Sequence, residues 1–85
     1  MIAKNWNYAI MTKAFVLLNS ETGYEKNNLD LMKSLPSVKE AFRIYGVYDI
    51  ILMVEEEDMK QLKETIFHKI RMTDGVRATL TLLIL

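Results

Sequence analysis

The alternation of apolar and polar residues predicts four β-strands between residues 12 and 85. The segment Thr12–Asn19 combines β-branched and large apolar residues and is followed by polar residues, which is typical of a strand. Three later segments are also predicted as strands: Val38–Tyr45, which is mixed in polarity, Tyr48–Glu55 and Val76–Leu85. Because only Gly46-Val47 separates the second strand from the third, a tight hairpin is expected between them.

Two helices are predicted from capping signals. Thr22-Gly23-Tyr24-Glu25 has the spacing of a capping box, in which the Thr22 hydroxyl bonds the backbone N–H of Glu25 and the Glu25 side chain reaches back. Pro36 ends this first helix. Asp58 is the expected N-cap of the second helix. The apolar stripe of the second helix consists of Met59, Leu62, Ile66 and Ile70.

An internal repeat supports this order of elements. Pro36-Ser37-Val38-Lys39 resembles Asp74-Gly75-Val76-Arg77 at an offset of 76 − 38 = 38 residues. The same offset pairs core positions of the strands and helices. Two copies of a split β-α-β unit form a ferredoxin-like βαββαβ fold, with a four-stranded antiparallel sheet and both helices on one face.

The composition excludes several classes of protein. Eleven basic and eleven acidic side chains give a formal net charge of zero, so no direct nucleic-acid partner is expected. The absence of cysteine excludes disulfides, thiolate metal sites and a cysteine nucleophile. No run of about eighteen apolar residues occurs, so we expect no membrane association and a cytoplasmic location. Residues 1–11 show no clear period and are interpreted as an N-terminal arm preceding a single domain, residues 12–85.

Both faces of the predicted sheet are apolar. One register meets the helices: Ala14, Val16, Leu18, Ile50, Leu52, Val54, Ala78, Leu80, Leu82 and Ile84. The opposite register is also apolar, and we predict that it forms a dimer interface: Phe15, Leu17, Ile51, Met53, Leu83 and Leu85. A face-to-face homodimer would cover this second surface. The alternative is that the arm lays Trp6 and Tyr8 across the sheet.

The sequence contains no recognisable catalytic motif. His68 is the single histidine and is interpreted as a surface residue. The acidic run Glu55–Asp58 is interpreted as a solvated helix N-terminus. No nucleophile stands beside a base, and no glycine-rich phosphate loop occurs. We therefore predict no enzymatic activity, no metal and no cofactor.

The segment Tyr45-Gly46-Val47-Tyr48-Asp49 is a candidate ligand site. Glycine exposes backbone N–H groups that suit a carboxylate, and Asp49 offers a negative charge to an ammonium group. An α-amino acid carries both groups. The alternative is an ordinary hairpin in which Asp49 bonds its own turn. Thr79 and Thr81 are placed on the face opposite the core register, as plain strand residues or as hydroxyl donors to a ligand.

These residues resemble the ligand-sensing domain of the Lrp/AsnC family, the regulation-of-amino-acid-metabolism domain. The likeness covers Lys13 to Leu85 and is most specific in two motifs. The first is Tyr45-Gly46-Val47-Tyr48-Asp49-Ile50, and the second runs from Asp74-Gly75-Val76 through Thr79 to Thr81.

The resemblance implies dimers of α/β-barrel type that pack sheet to sheet and often assemble into tetramers of dimers. It also implies an amino-acid effector bound between dimers. Carried over by position, the ligand-binding residues are Gly46, Val47, Tyr48, Asp49, Thr79 and Thr81. Members usually carry a helix-turn-helix, which residues 1–11 cannot form, so a stand-alone sensing domain is expected. Such a domain would act by assembling with itself or with full-length Lrp/AsnC regulators.

Two other functions remain open from the sequence. One is a small dimeric enzyme of the ferredoxin-like type, with a substrate held between sheet and helices. The other is a structural oligomerisation domain without a ligand. A ligand-induced rise in melting temperature separates the sensing module from the structural domain, because binding to the native state stabilises it.

Overall fold

The computed structural model describes residues 11–85, which form the predicted ferredoxin-like fold. The elements in chain order are β1 (Thr12–Ser20), α1 (Glu25–Ser34), β2 (Val38–Arg43), β3 (Ile50–Glu56), α2 (Met59–Glu64), a π-helical segment (Thr65–Arg71) and β4 (Val76–Ile84). The sheet order is β2-β3-β1-β4, and all neighbouring strands are antiparallel. The predicted arm, with Trp6 and Tyr8, lies outside the described residues. No helix in residues 11–85 is long and apolar enough to cross a membrane.

The core lies between the two central strands and the helices. Three residues of β1 and three of β3 have no exposed surface: Ala14, Val16, Leu18, Ile50, Leu52 and Val54. Met32 of α1, Leu62 of α2 and Ile70 of the π-helical segment close the same cluster. These residues occupy the predicted helix-facing register of the two central strands. Met59, also predicted for the apolar stripe, is instead 37% exposed.

The alternation of β4 is the reverse of the prediction. Leu83 pairs with Ala14, Thr81 with Val16 and Thr79 with Leu18. Directly paired residues share a face, so these β4 residues lie on the helix side. The apolar residues on the opposite side are Ala78, Leu80, Leu82 and Ile84. Leu85 follows the last residue of β4 and is fully exposed.

A break in the β1–β4 register explains the reversal. Asn19 pairs with Ala78, whereas Ser20 pairs with Val76, so the pairing skips Arg77. An extra residue in one strand exchanges the faces of its side chains beyond that point. The strand sequence could not settle the register, because the residues at its end are apolar in both alternations.

The first turn of α1 differs from the predicted capping box. Tyr24 is the N-cap, and no side chain caps this helix. The Glu25 carboxylate reaches only to the backbone N–H of Gly23, at 2.9 Å. Gly23 has a φ of +95°, and this turn moves Thr22 away from the helix end. At the second helix the prediction is confirmed, because the Asp58 carboxylate accepts from the N–H of Gln61 at 2.8 Å.

One buried polar residue, Asn28, ties α1 to the strand ends. The side-chain amide of Asn28 is 3.0 Å from Ser20 Oγ and 3.1 Å from the carbonyl of Gly75. Asn28 is 2% exposed. The same Gly75 carbonyl also accepts from the backbone N–H of Glu21 at 2.7 Å. These bonds fix the turn that leads into β4.

Candidate functional site

The connection between β2 and β3 is a six-residue loop, Ile44–Asp49, and the predicted two-residue hairpin turn is wrong. A backbone bond of 2.9 Å from the N–H of Ile44 to the carbonyl of Asp49 closes its base. Tyr45, Gly46 and Val47 protrude, and Tyr45 is fully exposed. Tyr45 and Tyr48 have residue types that favour strands, which is why the sequence placed them in the sheet.

The end of β1 holds this loop in place. The side-chain amide of Asn19 donates to the carbonyl of Val47 at 2.5 Å. The backbone N–H of Asp49 donates to the carbonyl of Leu18 at 2.9 Å. Both oxygens of the Asp49 carboxylate lie 3.2 Å from the backbone N–H of Ser20. The Asp49 carboxylate therefore has a structural role that the sequence did not reveal, since within residues 11–85 it bonds the neighbouring strand β1 and not a group of its own loop.

The tip of the loop presents backbone donors that have no acceptor. Within residues 11–85, the N–H groups of Gly46, Val47 and Tyr48 make no hydrogen bond to protein. Exposed N–H groups of this kind can donate to a carboxylate, because ionised acceptors form the stronger hydrogen bonds. The Asp49 carboxylate retains further acceptor capacity beyond Ser20.

Thr79 and Thr81 line a surface cleft between β4 and the second helix. The cleft has a volume of about 460 Å³, and its other lining residues are Lys63, Ile66, Phe67 and Arg71. Neither threonine hydroxyl has a hydrogen-bond partner within the part of the chain that the structure describes. The prediction that both threonines lie opposite the core register is therefore wrong, because they face the helices.

The loop and the threonine cleft lie at the same end of the sheet but do not meet in one chain. Ile50, Leu18 and Thr79 form one row across β3, β1 and β4. Two strand spacings of about 4.8 Å therefore separate the end of the loop from the cleft. Among residues 11–85, no loop residue lines the cleft. The six predicted ligand residues thus form two separate groups within a subunit.

The sheet face opposite the helices, here called the open face, carries a continuous apolar surface. It comprises Phe15, Leu17, Phe42, Ile51, Met53, Leu80, Leu82 and Ile84. Leu82 is 50% exposed and Phe42 is 56% exposed. Phe15, Leu17, Ile51 and Met53 lie where the sequence placed them. Leu83, predicted for this surface, faces the helices instead, and Leu80, Leu82 and Ile84 take its place.

Phe42 also lies on the open face, and the sequence analysis assigned it to neither face. It pairs with Ile51, while the neighbouring Ala41 pairs with Leu52 on the core side. The signal was the alternation of Ala41 and Phe42 within β2, which matches the alternation in β3.

His68 and Glu56 have side-chain partners near the second helix. His68 lies 3.5 Å from the carboxylate of Glu64, one helical turn away, and both side chains are largely exposed. Glu56 accepts hydrogen bonds from the hydroxyls of Ser37 and Thr65, which fix the end of β3. No group of three or more histidine, aspartate or glutamate side chains in residues 11–85 is placed to hold a metal ion.

Comparison with known proteins shows the class of this domain. The family model of the Lrp/AsnC ligand binding domain matches residues 13–85. The chain belongs to this family.

Solved structures share the fold across nearly the whole chain. FFRP-DM1 is 34% identical with a TM-score of 0.85, and the match covers 87% of this chain and 99% of that one. *Escherichia coli* AsnC is 25% identical with a TM-score of 0.83, over 96% of this chain and 54% of AsnC. A transcriptional regulator from *Neisseria meningitidis*, NMB0573, solved in complex with L-Met, is 16% identical with a TM-score of 0.81, over 100% of this chain and 55% of that one. Together with the family, these neighbours support a regulatory role.

A similar sequence also occurs as a short segment of a much longer enzyme. A homocitrate synthase from *Sulfurisphaera tokodaii* is 45% identical over 51 residues, which is 60% of this chain and 11% of the enzyme. The chain thus spans about a tenth of the length of the curated relatives it matches.

Proposed function

We propose that this domain is an amino-acid-binding regulatory module that works as a homodimer. The dimer forms through the open face, and an amino-acid effector binds where subunits meet. The observation that carries the ligand assignment is that the N–H groups of Gly46, Val47 and Tyr48 have no hydrogen-bond partner within residues 11–85.

The open face supports the dimer. Soluble monomers rarely present a contiguous apolar surface larger than a few hundred Å² to water. Here large apolar side chains from all four strands meet on one side of the sheet. At about 25 cal/mol per Å² of apolar area, covering them favours association by many kcal/mol before the entropy of association is subtracted. A second copy supplies a surface of matching shape and chemistry, because a two-fold interface is self-complementary.

The separation of the loop and the cleft supports a ligand site shared between subunits. One subunit offers N–H donors and the Asp49 carboxylate at its loop, and another offers the hydroxyls of Thr79 and Thr81. An amino acid held between them would bond its carboxylate to the N–H groups and its ammonium to Asp49 or to backbone carbonyls. Such a site forms only on assembly beyond the dimer, as in a tetramer of dimers. Binding and assembly would then favour each other.

Two biological settings fit this module. In the first, it modulates transcription of amino-acid metabolism by assembling with itself or with full-length Lrp/AsnC-type regulators. In the second, it acts as the regulatory part of a biosynthetic enzyme, which the 45% identity to a segment of homocitrate synthase favours. The module itself performs no catalysis in either setting.

A panel of the twenty amino acids tests ligand binding by thermal unfolding. A ligand at a hundred times its dissociation constant stabilises the native state by about 2.7 kcal/mol. For a domain of this size, that corresponds to a rise in melting temperature on the order of 10 °C. Absence of a shift with every amino acid at millimolar concentration would contradict the proposal.

A pair of threonine variants tests the cleft. Thr81→Val removes a hydroxyl with little change of shape, and we expect a weaker effector response. Thr22→Val makes the same change in an exposed turn and should leave the response intact. Equal responses from both variants would remove Thr81 from the site.

A further inference from the structure

The charge of the threonine cleft distinguishes it from a general amino-acid site. Lys63 and Arg71 contribute positive charge, Thr79 and Thr81 contribute hydroxyls, and Ile66 and Phe67 form apolar walls. No carboxylate lines the cleft. Within residues 11–85 the cleft therefore has a mainly apolar lining and a formal charge of +2.

The two cations are not neutralised by neighbouring side chains. The ion pairs found within residues 11–85 join Lys13 to Glu55, Lys26 to Asp30 and His68 to Glu64. Neither Lys63 nor Arg71 takes part in them. The guanidinium of Arg71 lies over the ring of Phe67, 5.7 Å from its centroid. This stacking holds the guanidinium beside the cleft and leaves its N–H groups available to a planar anion.

We propose that this cleft selects an amino acid with an acidic side chain, such as glutamate or aspartate. The inference rests on the proposed function, in which the loop N–H groups of another subunit bind the α-carboxylate. With that group already bound, Lys63 and Arg71 face a second position on the ligand. A side-chain carboxylate is complementary to two cations and two hydroxyls, whereas the ammonium of a lysine ligand would be repelled.

Calorimetry with matched ligands tests the selection. Glutamate and glutamine have the same shape and differ in charge, as do aspartate and asparagine. We expect the acidic member of at least one pair to bind roughly 10- to 100-fold more tightly, the range for hydrogen bonds to a charged group. Raising the salt concentration from 0.05 M to 0.5 M should weaken the acidic ligand more than the neutral one, because exposed charges are screened.

Variants of the two cations identify the residues responsible. Arg71→Gln and Lys63→Gln should each lower the preference of the acidic over the neutral ligand by roughly 10-fold or more. Lys33→Gln, at the exposed end of α1, removes the same charge outside the cleft and should leave the preference unchanged.

The outcomes separate this inference from the function on which it rests. Tighter binding of a neutral or basic amino acid overturns the selection and leaves the proposed module intact. A preference for the acidic ligand that survives both cation variants also overturns the role of the cleft. Failure of every amino acid to bind overturns the proposed function, and the inference with it.

Discussion

Replacing each of the three glycines by alanine tests the geometry of the turns. Gly46 does not have a positive φ, and an added Cβ would meet nothing within 4 Å. Gly23 has a φ of +95° and equally open surroundings. Gly75 has a φ of +84°, and an added Cβ would overlap the Tyr24 side chain, with Tyr24 Cβ only 2.7 Å away. Alanine at Gly46 therefore adds neither backbone strain nor steric overlap. Alanine at Gly23 adds backbone strain, and alanine at Gly75 adds both.

The expected losses of stability follow from these two terms. Alanine at Gly46 should change the free energy of unfolding by less than about 1 kcal/mol, because the only effect is on the unfolded chain. Alanine at Gly23 must adopt a left-handed conformation and should destabilise by about 1–2 kcal/mol. At Gly75 the same strain is joined by overpacking of about 1–3 kcal/mol, giving a loss of about 2–5 kcal/mol. Rotation of the Tyr24 ring cannot relieve a contact with its Cβ.

Urea unfolding monitored by circular dichroism measures the series. The protein concentration must be the same throughout, since the proposed dimerisation would make apparent stability depend on it. A double variant with Tyr24→Ala isolates the ring contacts, and we expect it to lose about 1 kcal/mol less than the sum of the single losses. The reasoning is refuted if Gly75→Ala is no less stable than Gly23→Ala.

Three further changes test the interface, the buried amide and the loop. Leu82→Glu should dissociate the proposed dimer in sedimentation velocity, because it would bury an unpaired charge in both subunits. Leu83→Glu, with similar exposure but on the helix face, should not, and the reverse result would contradict the observed register. Asn28→Ala should lower stability in urea by about 1–3 kcal/mol, since two buried bonds are lost; no change would show that these bonds are dispensable. Asp49→Asn keeps an acceptor for the backbone N–H of Ser20 and should preserve the fold while weakening calorimetric effector binding; unchanged affinity would exclude Asp49 from the site.

The sequence predicted the fold because its signals were local and repeated. The Asp58 cap and the apolar register of β1 and β3 depend on neighbouring residues, and both agree with the structure. The 38-residue repeat relates Val38 to Val76, and these residues begin β2 and β4. The β2–β3 loop was missed because its shape depends on bonds from Asn19 to Val47 and from Ser20 to Asp49. These bonds span 28 and 29 residues and leave no periodic signal.

Only part of the candidate site could be predicted, because its geometry also depends on residues that are distant in sequence. The residue types were informative, so Gly46 and the threonine pair were singled out. The arrangement of these residues could not be predicted, because the face on which Thr79 and Thr81 lie is set by the register break beside Ser20. The cations of the cleft were missed since Lys63 and Arg71 lie on another element and reach β4 only through packing.

The odd-numbered and even-numbered residues of β4 lie on opposite faces of the sheet. Its hydroxyl-bearing positions lie against the helices, and its leucines at 80 and 82 point the other way. If an inserted or deleted residue in the turn before this strand shifted its pairing by one position, the two sets would exchange faces. The cleft would then become more apolar, and hydroxyls would replace leucines on the open face. We therefore expect the length of that turn to tolerate change less well than its composition, apart from Gly75.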